Sequence, residues 1–138
     1  MTTAPPKSGA VVFAKDVERV AAFYRETMAL AVEQQDDGFV VLGSAATELV
    51  VHAIPPAIAA QIDIAVPPRP REDASVKLIF PVADLAAARA AACAHGGQIE
   101  PAEREWEWRG YRICDGVDPE GNVVQIRANV AGASSTRL

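Results

Sequence analysis

A strand, a capped helix and three further strands follow one another twice along this chain, and that duplication constrains the fold more than any single motif. Residues 9–14 (GAVVFA) are a short apolar run of strand type, and Asp16 follows where a carboxylate can cap a helix N-terminus. Val17, Val20, Ala21, Tyr24 and Met28 then recur at helical spacing, with Glu18, Arg19, Arg25 and Glu26 on other sides, which predicts an amphipathic helix of about three turns. A weak strand at residues 31–35, a turn at Asp36-Asp37-Gly38, a stronger strand at 39–42 and another at 48–54 (ELVVHAI) complete the unit. The order resumes with a strand at 76–82 (VKLIFPV), a cap at Asp84, an alanine-rich helix over 85–95 and a stop at Gly96-Gly97. A short strand at 98–100, a polar loop carrying Trp106 and Trp108, and the strand 110–114 (GYRIC) lead to a closing turn and strand, DGVDPEGNVVQIR, over residues 115–127.

The two units align with only small drifts. Asp16 and Asp84 are 68 residues apart, Gly38-Phe39 and Gly110-Tyr111 are 72 apart, and Val50-Val51-His52 and Val123-Val124-Gln125 are 73 apart. Each unit yields a curved sheet with one face for its helix and one face that needs another partner. The expected class is therefore α+β, a single domain over residues 1–138: two βαβββ repeats at 9–54 and 75–128, a proline-rich connector at 55–74 and a loose tail at 129–138. A helical turn is expected inside the connector at Ala57 to Gln61.

Composition narrows the function. A formal charge of −5 without a basic cluster disfavours a nucleic-acid partner. No apolar run approaches the ~18 residues of a membrane span, and residues 1–9 lack the centre of a signal peptide, so a cytoplasmic protein with no membrane partner is expected. Cys93 and Cys114 form no CxxC pattern and read as structural thiols.

The stretches VFAKDVERVAAFYRETMAL, LIFPVADLAAARAAACAHGG and DGVDPEGNVVQIR, in this order and duplicated, resemble the vicinal oxygen chelate superfamily of glyoxalases, bleomycin-resistance proteins and extradiol dioxygenases. The resemblance spans residues 9 to 128 and implies curved mixed sheets around a groove. In metal-dependent members four side chains, usually His and Glu, hold a divalent cation. The corresponding positions here are Gly9, His52, Lys77 and Gln125. Gly9 offers no ligand, Lys77 brings a cation and Gln125 only a neutral carbonyl oxygen, so His52 is the single good donor where such sites normally need three or more. The resemblance is therefore to the metal-free branch, with no cofactor.

Strand alternation sends His52, Lys77 and Gln125 to the face opposite Val51, Leu78 and Ile126, which predicts that they converge in the groove. Lys77 suits an anion anchor, a base, or a solvated strand-end lysine; His52 suits a pocket acid or base, or a core histidine. Trp106 and Trp108 point the same way if extended, forming a flat wall for a ligand or an anchor for the core or a dimer. Arg112, beside them, completes the candidate ligand-binding set. Asp115 and Asp118 are read as stabilising their turn rather than as a catalytic pair. The expected function is metal-independent binding of a small molecule, aromatic or anionic, by a homodimer. The alternative is a lyase, isomerase or dioxygenase-like enzyme using His52, Lys77 or an atypical metal site.

Overall fold

The computed structural model describes residues 5–130. Ser8–Ala14 forms β1, Val17–Met28 α1, Ala31–Asp36 β2, Phe39–Gly43 β3 and Thr47–Ala53 β4. Asp16 caps α1 by accepting a hydrogen bond from the Arg19 amide at 3.0 Å, and the helix stops at Ala29, whose φ of 54° is left-handed. In the connector, Pro56–Ala59 forms α2. The second unit consists of β5 (Leu78–Pro81), α3 (Leu85–Ala94), β6 (Gln98–Ile99), β7 (Trp106–Trp108), β8 (Tyr111–Val117) and β9 (Val123–Asn129). Asp84 caps α3 through the Ala87 amide at 2.9 Å, as the repeat predicts.

The sheets follow one plan. The first has the order β1-β4-β3-β2 and the second β5-β9-β8-β6, with β7 also paired to β8. In each, the first and last strands of the unit run parallel at one edge while the remaining neighbours are antiparallel. Helix α1 packs on its own sheet, burying Val20, Phe23 and Tyr24 in the same core as Val40, Leu42, Leu49 and Val51. Each such aromatic contributes about 2–3 kcal/mol by its burial. Helix α3 lies against α1 and against β6, β8 and β9, so the units meet through their helices; the Tyr24 ring reaches Phe80 with centroids 5.5 Å apart.

Three expectations change. The tryptophans lie on a strand rather than in a loop: Trp106, Glu107 and Trp108 pair with Ile113, Arg112 and Tyr111 around a turn at Arg109 and Gly110, both with positive φ. Strand β8 continues through Asp115, Gly116 and Val117, so Asp115 is a sheet residue and the turn begins only at Asp118. Asn129 ends β9 instead of opening a tail, and residues 131–138 of the expected tail lie outside the described residues.

Asp118 ties the closing turn to the first unit. Its buried carboxylate accepts from the Glu120 and Asn122 amides at 2.8 and 3.0 Å, from Asn122 Nδ2 at 2.7 Å and from the Tyr24 hydroxyl at 2.8 Å. Burial first, and then the Asp118 carboxylate, push the Tyr24 phenol well above its ordinary pKa, so Tyr24 stays a neutral donor. Glu120 in turn accepts from the Lys15 and Asp16 amides, and Arg71 of the connector donates to the Glu120 and Gly121 carbonyls.

Candidate functional site

Helices cover one face of each sheet, and alternation assigns the side chains of the other face. On the first sheet these are Val11, Phe13, Phe39, Val41, Val50 and His52. Val11 is 53% and Phe13 59% exposed, a large cost for apolar side chains left in water. His52 sits between Phe13 and Phe39 with ring centroids 6.0 and 6.2 Å away. Its Nδ1 lies 2.9 Å from the Ala53 carbonyl oxygen. Since a carbonyl only accepts, that nitrogen carries the proton and Nε2 is the ring's open position.

The open face of the second sheet carries a hydrogen-bonded chain instead. Lys77 Nζ donates to Asp115 Oδ2 at 2.9 Å, Gln125 Nε2 donates to Asp115 Oδ1 at 3.1 Å, and Arg127 Nε donates to Gln125 Oε1 at 2.8 Å. Gln125 is only 8% exposed, so both ends of its amide need these partners. The Arg127 guanidinium lies over Trp108 and Tyr111, 5.3 and 5.9 Å from the ring centroids, and Arg109 lies 5.3 Å from Trp108. Cavities flank the chain. One, of about 650 Å³, extends from Lys77 and Asp115 past the connector residues from Pro70 to Ala74 to β6 and to Arg89 and Cys93 of α3. The other, of about 280 Å³, is bounded by Ile79, Pro81, Val82, Tyr111, Arg127 and Asn129.

A glyoxalase-like domain model matches residues 9–127. The chain belongs to the glyoxalase-like family. Among solved structures, a glyoxalase/bleomycin resistance protein from Albidiferax ferrireducens T118 is 19% identical, with 89% of this chain and 98% of that one covered and a TM-score of 0.63. A glyoxalase/bleomycin resistance protein/dioxygenase family enzyme from Burkholderia phytofirmans PsJN is 20% identical over 89% and 98%, with a TM-score of 0.62. A bleomycin resistance determinant encoded on the transposon Tn5 is 18% identical over 91% and 98%, with a TM-score of 0.58. At these identities the likeness is one of fold. No curated protein sequence matches the chain.

The family's metal position can be tested against this geometry. Gly9 pairs with Glu48, and a Cβ at Gly9 would run into the Glu48 carbonyl oxygen, so a ligating side chain has no room there. Lys77 supplies an ammonium bonded to Asp115, and the one acceptor atom of Gln125 is taken by Arg127. Register removes His52 as well. Gln125 stands opposite Ile79, five residues before the Asp84 cap, whereas His52 stands opposite Phe13, three before the Asp16 cap. Measured from the caps, the counterpart of Gln125 is Val50 and that of His52 is Arg127. Among the described residues, no three His, Cys, Asp or Glu side chains are grouped to hold a metal ion. A divalent cation does not fit the residues at this position.

Of the six candidate residues, the structure links Lys77 with Gln125 through Asp115, and Gln125 with Trp108 through Arg127. Trp106 shares that face, opposite Ile113. His52 is on the other sheet, and its hydrogen bond and ring contacts stay within the first unit. Arg112 points the opposite way: it pairs with Glu105 and Glu107, each at 3.1 Å, on the side facing α3, where Arg89 holds Glu105 at 2.6 Å. The Arg89 hydrogen bond, seconded by Arg112, lowers the Glu105 pKa against the effect of burial. Sequence reasoning assigns Asp115 to a turn and does not single out Tyr111 or Arg127. Same-parity spacing from Gln125 points to Arg127, and the continuation of β8 points to Asp115.

Proposed function

We propose that this chain is a metal-independent small-molecule binding protein, with its ligand held over the open face of the second sheet and enclosed by the first sheet of a second copy. One observation carries the reading: Lys77 and Gln125, at two of the family's metal positions, are satisfied by Asp115 and Arg127 in the chain Lys77–Asp115–Gln125–Arg127, beside a cavity of about 650 Å³. A preformed, partly apolar cavity with a few fixed polar groups is what small-molecule recognition requires. The exposed apolar side chains of the first sheet, Val11 and Phe13, supply a cover of suitable chemistry. A base role for Lys77 is not favoured, because Asp115 engages its ammonium.

The test is a thermal-shift panel of aromatic and anionic metabolites and antibiotics with excess chelator present. A ligand at about 100 times its Kd stabilises the folded state by ~2.7 kcal/mol, a rise of about 10 °C for a domain of this size. The reading predicts at least one such shift, undiminished by chelator. A panel-wide absence of shifts, or shifts that appear only when metal is added, would contradict it.

A further inference from the structure

We infer that the Arg127 end of this face is a receptor for the carboxylate of a small, otherwise apolar ligand. The inference rests on the reading of the second sheet's open face as the ligand site and gives that site a direction. Along β9 the face changes character. At Lys77 the positive charge is already neutralised by Asp115. At the other end, Arg127 and Arg109 both lie against the Trp108 ring, and among the described residues neither is within ion-pair distance of a carboxylate. In a chain with a formal charge of −5, this is a local excess of positive charge on a ligand-sized concavity.

The geometry also fixes how Arg127 presents itself. Gln125 accepts from Nε, and Trp108 and Tyr111 flank the guanidinium, so the planar group is held by one hydrogen bond and two aromatic contacts. Among the described residues its terminal nitrogens have no hydrogen-bond partner. Two parallel N–H donors on a fixed plane match a carboxylate, which they bind in bidentate fashion. Beside them lies the cavity of about 280 Å³, whose Ile79, Pro81 and Val82 offer an apolar floor for the body of the ligand. Gln125 thus acts as a positioning residue: its amide orients Arg127 and is itself oriented by Asp115.

The experiment titrates the protein with cyclohexanecarboxylate, phenylacetate and 2-naphthoate, each against its own primary amide. It follows calorimetry and the two indole N–H resonances of Trp106 and Trp108, the only tryptophans in the chain. The expected result is at least about tenfold tighter binding of a carboxylate than of its amide, with the Trp108 resonance moving. In Arg127→Gln the preference should collapse to within about twofold, and Arg127→Lys, which keeps the charge but not the planar fork, should fall between. Unchanged thermal midpoints verify that both variants fold. Equal binding of acids and amides, or a preference that survives Arg127→Gln, overturns the inference while leaving the small-molecule reading intact. Binding of neither acids nor amides overturns the inference and removes aromatic and cyclic ligands from that reading too.

Discussion

The open faces of the two sheets are built on the same strand plan yet present opposite chemistry. On the helix side the units remain alike: Leu49 and its counterpart Val124 are buried, as are Val51 and its counterpart Ile126. On the open side the first sheet shows Val11, Phe13, Val41 and Val50 around His52, whereas the second shows Lys77, Asp115, Gln125 and Arg127 with Trp106, Trp108 and Tyr111. Packing against a helix restricts one set of positions to apolar residues of matched volume. The alternate set is free of that demand, so one unit presents an apolar open face and the other a hydrogen-bonded one.

This contrast can be broken from either side. The largest effect is expected on the first sheet, where Phe13→Glu places a charge in the middle of the proposed cover. Self-association should weaken by at least about 100-fold, equivalent to ~3 kcal/mol, as read by analytical ultracentrifugation. A wild-type chain that stays monomeric at high concentration, or a variant that dimerises as well as wild type, would remove the cover from the account. On the second sheet, Gln125→Leu deprives Asp115 and Arg127 of a partner each and should cost about 2 kcal/mol in urea unfolding. Its counterpart on the first sheet, Val50, has no polar network to lose, and Val50→Thr should stay within ~0.5 kcal/mol. Equal costs at the two positions would mean that the polar chain contributes nothing.

The smallest effect lies behind the second sheet. Glu105 is held below the usual carboxyl range by Arg89 and then Arg112, so its folded pKa is depressed. The stability this confers is present at neutral pH, above the unfolded value, and is lost as pH falls through the folded value. Comparing wild type with Glu105→Gln across that acid range should show a gap of about 1 kcal/mol closing as pH drops.

Much of this architecture was legible in sequence because its signals are local. Asp16 and Asp84 mark the starts of two helices, and alternation in ELVVHAI and VVQIR fixes which residues face the core. What sequence could not supply was register. A slip of two residues leaves every side chain on its original face, so the apolar pattern is blind to it. That is why His52 read as the partner of Gln125, although pairing with β1 sets it level with Arg127. The tryptophans read as loop residues because alternating Glu and Arg around them removes the apolar run that marks a strand, and β7 exists only through its pairing with β8. Arg127 escaped notice because a charged residue near a strand end ordinarily projects into water. Here Trp108, Tyr111 and Gln125 keep it on the sheet.

Lys77 and Gln125, two of the four positions at which the resemblance implies metal ligands, are engaged instead by Asp115 and Arg127. The decisive measurement is elemental analysis of protein equilibrated with Zn²⁺, Mn²⁺, Ni²⁺ and Fe²⁺ and then desalted. With Lys77 and Gln125 so engaged, far less than one ion per chain should remain for every metal. Retention of about one ion per chain, lost in Gln125→Ala, would contradict it.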